Sequence, residues 1–132
     1  MKIKFRVWDK QDRKMIRNPC DAGFNIVILL PSSVQIHEKS EQMKFIQDDN
    51  KRYYRFETMM YTGFNDKNNK EIFEGDIIDT PIGKGKVINT FGCWILDPQH
   101  EPLPYFYSEE SKTVVELLGN IYEDEKLRKE LL

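Results

Sequence analysis

Hydrophobic and polar positions alternate from the start of the chain. Ile3, Phe5 and Val7 interleave with Lys4, Arg6 and Trp8, the period-two pattern of a strand with one face in a core and one in water. Residues 9–13 read as a turn, Met15-Ile16-Arg17 as the returning hairpin strand, and Asn18-Pro19 as its stop. Gly23 opens an apolar run. Its five consecutive aliphatics, Ile26 to Leu30, predict a strand buried on both faces or one crossing between two packing surfaces, closed by Pro31-Ser32-Ser33. Val34 and Ile36 fit a short further strand, Met43 to Ile46 form another apolar patch, and residues 47–51 read as a loop. Residues 21–51 carry the weakest pattern in the chain. Residues 52–61 are an aromatic-rich strand, with Tyr54 and Phe56 facing the core and Met60 on their side, and with Arg55, Glu57 and Met59 opposite.

The clearest segment is 59–79. A strand end at Met59-Met60-Tyr61 meets a Thr62-Gly63 turn. The hydrophobe-free loop 65–70 follows, whose short Asn and Asp side chains can bond to their own backbone. Ile72 and Phe73 then point inward, Gly75 relieves a bend, and Ile77-Ile78 begin a new strand. Gly83-Lys84-Gly85-Lys86 reads as a tight turn before a strand at 87–91, with Thr80-Pro81 ending the strand before it. Gly92 breaks the chain again, and Cys93 to Leu96 make a short apolar strand. The three prolines in 97–104 argue against regular structure, and Tyr105-Phe106-Tyr107 re-enter the fold. Residues 113–118 are β-branched and apolar apart from Glu116, and Gly119-Asn120 turn the chain. Asp124 is a plausible cap for a terminal helix whose apolar side is Leu127, Leu131 and Leu132.

Short strands at close spacing, divided by glycine turns, predict a mainly β fold. It is built of small barrel-like or sandwich-like antiparallel sheets, with one short C-terminal helix. At 132 residues the chain is one compact domain, with two β subdomains, 1–61 and 71–132, as the internal division and 62–70 as the seam.

Charge alters this picture only locally. The formal net charge is −2, yet residues 1–18 hold seven Lys/Arg against two Asp. This basic strand suits a phosphate backbone or simply a solvated face. Two cysteines, Cys20 and Cys93, make neither a disulfide framework nor a thiolate zinc site. With no secretory leader pattern, they suggest a reducing cytoplasm. The longest apolar run, 26–31, is too short to cross a bilayer, so no membrane partner is expected.

Candidate chemistry is sparse. His37, His100, Cys20 and Cys93 are isolated singletons with no metal-ligand spacing, so no metal or cofactor is expected. Cys93 reads as a small core residue, and a Cys93–His100 pair is the remote catalytic alternative. Glu71, Glu74, Asp76 and Asp79 could share a proton or a magnesium ion, or simply accept backbone N–H bonds at a strand start. Gly83-Lys84-Gly85-Lys86 lacks the spacing of a phosphate loop. The best recognition pattern is Lys51-Arg52-Tyr53-Tyr54-Arg55-Phe56, since single-strand binders set stacking aromatics among cations. Arg52, Tyr53 and Arg55 are therefore candidates. So are Tyr105 and Tyr107, behind the proline loop, where a protein partner fits as well as a base.

Three stretches carry a family resemblance: Lys2-Ile3-Lys4-Phe5-Arg6-Val7-Trp8-Asp9 with Lys14-Met15; Tyr61-Thr62-Gly63-Phe64-Asn65-Asp66-Lys67-Asn68-Asn69-Lys70-Glu71-Ile72-Phe73-Glu74-Gly75-Asp76-Ile77-Ile78; and Val115-Glu116-Leu117-Leu118-Gly119-Asn120-Ile121-Tyr122-Glu123. Each resembles a motif of the YopX family, found mostly in phages and prophages of bacteria. Where that family usually has glycine this chain has Asn69, which a turn tolerates because Asn also visits positive φ. Residues 21–51 match no pattern of it. The resemblance implies a mostly β, phage-encoded accessory protein. It brings no catalytic residues, and its motif positions look like fold determinants.

The expected function is therefore that of a phage or prophage accessory protein of uncharacterised biochemistry, acting in the bacterial cytoplasm by binding rather than catalysis. Its partner would be an unidentified protein. The alternatives are a nucleic-acid-associated module using basic and aromatic strand residues, and a small metal-dependent hydrolase or nuclease using the clustered carboxylates. Homo-oligomerisation through strand edges is open.

Overall fold

The computed structural model describes residues 4–17, 24–29, 33–38, 45–48, 51–54, 56–107 and 114–131. The stops expected at Pro19 and Pro31 and the patch at Met43 lie outside the described residues. The fold is mainly β and antiparallel, with one short C-terminal helix. The chain divides into two compact units, Met1–Met60 and Tyr61–Leu132. No helix among the described residues is long and apolar enough to cross a membrane.

In the first unit, β1 (Phe5–Asp9) pairs with β2 (Lys14–Ile16). The connecting turn is tied by Asp9, whose carboxylate accepts the N–H groups of Gln11 and Asp12 at 3.0 and 3.2 Å. Two further hairpins follow. They join β3 (Phe24–Leu29) to β4 (Ser33–Glu38), and β5 (Phe45–Asp48) to β6 (Lys51–Tyr54). Gln47 and Asp48, expected in a loop, are paired with Arg52 and Lys51. Their polar side chains concealed a strand whose backbone is held by its hairpin partner. The long strand β7 (Phe56–Asn65) carries the unit boundary within it, and its first half pairs with β1.

Two expectations here are corrected. Arg6, Val7, Trp8 and Asp9 are all buried, so β1 has no wet face. Its backbone is paired along both edges, by β2 and β7, but edge pairing leaves the faces to packing, and alternation cannot reveal a polar side chain that packing covers. On β7 the buried methionine is Met59, not Met60, which reverses the side expected to face the core.

In the second unit, the later half of β7 pairs with β8 (Glu71–Phe73). The expected Thr62-Gly63 turn is instead a bulge within β7: the register slips between Tyr61 and Asn65, and Gly63 sits at φ +86°. Thr62 fixes it by donating its hydroxyl to the Ile72 carbonyl at 2.7 Å and accepting the Phe64 N–H at 3.1 Å.

One sheet of the fold is a half-barrel, and the second unit holds a five-stranded sheet. It comprises β9 (Asp76–Thr80), β10 (Gly83–Thr90), β11 (Cys93–Asp97), β12 (Glu101–Pro102) and β13 (Glu116–Asn120), in the order β12-β11-β10-β9-β13. A 3-10 turn, Leu103–Tyr107, and the helix α1 (Glu125–Glu130) complete the unit. The 97–104 segment thus contains regular structure despite its prolines, because Pro102 lies on the edge strand β12, where a missing N–H costs little.

The turn expected at residues 83–86 sits two residues earlier, at Pro81-Ile82. Gly83 to Lys86 are strand, in register with Thr80 to Ile77. Gly85 is there for space: a Cβ at this position would lie 2.5 Å from the Leu96 Cδ1 atom. That contact belongs to the core of the unit, formed by Ile72, Ile78, Val87, Leu96, Leu103, Phe106 and Val115. Each fully buried aliphatic side chain contributes about 1.5–3 kcal/mol by leaving water.

The Asp124 side chain does not cap α1. Its carboxylate turns back to accept the Asn120 N–H at 3.0 Å, and the side chain of Asn120 accepts the N–H groups of Tyr122 and Glu123.

Candidate functional site

The candidate residues from the sequence are divided between the two units. Arg52 and Tyr53 lie on β6, opposite Gln47 and Ile46; Arg55, like Cys20, lies outside the described residues. The basic N-terminal residues are not a uniform free row. Arg6 is buried, Lys10 pairs with Glu57 at 2.9 Å, and Lys14 lies 4.0 Å from Asp12.

Among the clustered acids, Asp76 is 1% exposed and accepts the Phe73 N–H at 2.7 Å, closing the Glu74-Gly75 turn. The described residues contain no group of three or more His, Cys, Asp or Glu able to hold a metal ion. Cys93 is exposed rather than in the core. It opens β11 while His100 follows that strand's end, so about 13 Å of strand separates the two ends.

The 3-10 turn accounts for the aromatic pair near the prolines. Three residues per turn put positions i and i+3 on one face. Leu103 and Phe106 accordingly enter the core, leaving Tyr105 64% exposed. Its ring meets Phe106 edge-on, with centroids 5.3 Å apart, so an outward aromatic stands on a buried one. Pro102 and Pro104 are exposed beside it. Tyr107 turns the other way. Its ring lies 4.6 Å from Phe64, and its hydroxyl donates to the Asn65 carbonyl at 2.8 Å. Burial, then the Asp66 charge and Tyr61, push its phenol up to about 12 from 10.0, so it stays protonated across the physiological range.

The centre of this region is Asp66, which the sequence did not single out. It is 4% exposed. One carboxylate oxygen accepts the N–H groups of Asn68 and Lys70 at 2.9 and 2.8 Å, and the other accepts that of Leu117 at 3.0 Å. Burial raises its pKa, but the Leu117, Lys70 and Asn68 N–H groups and the Lys70 charge outweigh that, and the net shift is downward from 3.8. The Lys67 N–H donates to the Val115 carbonyl at 2.8 Å, and the Lys67 ammonium lies 3.2 Å from Glu116.

Beside Asp66, the Tyr61 hydroxyl donates to the Asn65 side chain, which donates in turn to Asn69 at 2.9 Å. Loop 65–70 is thus a polar clamp on the start of β13. An Asp whose acceptor positions are filled by backbone donors holds structure together and is poorly placed to take up a substrate proton. The expectation that the short side chains of this loop bond to their own backbone holds at Asp66 for Asn68 and Lys70; what the sequence did not signal is its burial and its bond to Leu117.

The structure is similar to the crystal structure of protein EF1440 from Enterococcus faecalis, with a TM-score of 0.62 over 96% of this chain and 98% of that one. At 20% sequence identity that likeness is one of fold. No curated protein matches the chain. A family model described as YopX protein matches residues 4–129, which takes in nearly the whole of both units, and the chain belongs to the YopX family.

Proposed function

We propose that this protein is a phage- or prophage-encoded accessory factor of the bacterial cytoplasm. It acts by binding a protein partner rather than by catalysis, with Tyr105 and its flanking prolines as the contact. The observation that carries this reading is the division of polar and aromatic groups. Asp66, Asp76 and Asn120 are buried and bonded to backbone, whereas Tyr105 stands 64% exposed on a platform fixed by Leu103 and Phe106. A rigid, outward aromatic loses little conformational freedom on binding, which is why such residues dominate interface energetics.

The test is affinity capture from the lysogenic host with the wild-type protein and Tyr105→Ala side by side. A single partner retained by the wild type and lost from the variant is expected. Identical retention by both would overturn the assignment of the contact. A titration against labelled single-stranded and duplex nucleic acid at low and physiological salt tests the alternative. Steeply salt-dependent binding that falls on changing Arg52 and Arg55 would replace this proposal with a nucleic-acid module.

A further inference from the structure

In a chain that is 32% charged, residues 87–96 carry no charged side chain. They form the outer part of the β10–β11 hairpin, whose last pair is Thr90 and Cys93 and whose two-residue turn is Phe91-Gly92. Both turn residues have positive φ, +52° and +82°. This turn type favours Asn, Asp or Gly at its first position, yet the position is held by Phe91, whose side chain is fully exposed. The Asn89 carboxamide braces the turn by accepting the Gly92 N–H at 3.2 Å. A bulky aromatic held at positive φ, with its ring wholly in water, gains nothing within its own copy.

The same unit contains a complementary hollow. An open cavity of about 220 Å³ is lined, among the described residues, by Lys86, Asp97, Ile121, Arg128 and Leu131, and its lining is mostly apolar. Benzene fills a dry cavity of about 150 Å³, so a Phe side chain fits. Lys86 and Arg128 can meet the ring face as cations. Lys86 and Asp97 are a cross-strand pair four residues below Thr90 and Cys93, so the hairpin tip stands about 13 Å or more from the cavity of its own copy. The knob and the hollow can therefore meet only between copies.

We propose that the protein self-associates head to tail, with Phe91 of one copy entering the cavity beside α1 of the next. Such a contact joins two different surfaces, so it extends into chains or closes into a ring. It does not depend on the Tyr105 surface and can fail independently of it.

Sedimentation and light scattering of the full chain over a wide concentration range test it. Wild type is expected to gain mass with concentration. Phe91→Asn suits the turn better, so it should remain monomeric throughout with no loss of melting temperature. Leu131→Trp should block the cavity. Mixing Phe91→Asn, which keeps only the hollow, with Leu131→Trp, which keeps only the knob, should give a one-to-one dimer that grows no further. A wild type that stays monomeric at every concentration would overturn the proposal, as would Phe91→Asn assembling like the wild type.

Discussion

Three turns of the second unit place a non-glycine residue in the left-handed region, at Asn69, Phe91 and His100, and the first two do so for opposite reasons. In loop 65–70 the residue is Asn69, at φ +63°. Its N–H donates to the Asp66 carbonyl, and its side chain accepts from Asn65. At the tip of the β10–β11 hairpin the residue is Phe91, at φ +52° with its ring in solvent. Left-handed geometry costs a residue with a Cβ roughly 1–2 kcal/mol, and Asn recovers part of this through local hydrogen bonds that Phe cannot make. The first loop obeys the rules of turn chemistry and ends as a scaffold. The second breaks them at Phe91, with only the Asn89 bond to the Gly92 N–H as a local brace, and departures of that kind concentrate where a surface is used.

The largest expected effect is at the hub of the first loop. Asp66→Ala removes the shared acceptor of three backbone N–H groups, those of the exposed Asn68 and Lys70 and the half-buried Leu117, and a loss of about 2–4 kcal/mol is expected, read as a lower denaturant midpoint. The gentler Asp66→Asn isolates the charge. The folded pKa of Asp66 is depressed below 3.8, so its stabilisation is complete above that unfolded value and is lost as pH falls through the folded value. The wild type should therefore exceed Asp66→Asn at neutral pH, with the gap closing below about pH 4. A gap that stays constant to pH 2 would mean that the charge of Asp66 contributes nothing to the clamp.

The two turns also differ in how legible they were. The strands on either side of Gly75 could be read directly, because local pattern and final environment agree there, and so could the existence of the strand Cys93 to Leu96 and of the C-terminal helix, though Cys93 is exposed and Asp124 does not cap. Asp66 could not. A loop of Asn, Asp and Lys looks solvated, and nothing nearby encodes the Leu117 N–H that reaches it from 51 residues away. Arg6 escaped for the same reason, since alternation marks it as wet and its burial comes from other strands. At the hairpin tip, the glycine-rich Gly83-Lys84-Gly85-Lys86 drew the turn to itself, although Gly85 is needed beside Leu96. Phe91 looked like the end of a strand. The exposure of Tyr105 was legible from its prolines and aromatic neighbours, whereas Tyr107, from the same cluster, is half-buried and bonded to Asn65.

Exchanging residue types between the turns sharpens the comparison. Asn69→Phe should cost about 1–2 kcal/mol, since it puts a Cβ-bearing ring into the left-handed region and removes the bond from Asn65. Position 69 is exposed, so the ring gains no packing in return. Thermal unfolding monitored at both positions gives the measurement. An unchanged midpoint would show that left-handed geometry is not the controlling term in loop 65–70.

The smallest effect has the opposite sign. Phe91→Asn gives the hairpin the residue its turn prefers, ahead of Gly92, and removes a ring that makes no contact worth keeping within the copy. A gain of about 0.5–1 kcal/mol is expected, seen as a higher denaturant midpoint with an unchanged slope, measured where the protein is dilute enough to be monomeric. Dilution matters because a wild type held in assemblies would carry extra stability by mass action. The gain should then shrink or reverse as concentration rises. A substitution that stabilises the isolated chain while weakening it in company would show that Phe91 is kept for what lies outside its own fold. If the variant is instead less stable when dilute, Phe91 supports the hairpin itself, and the contrast with Asn69 fails at its source.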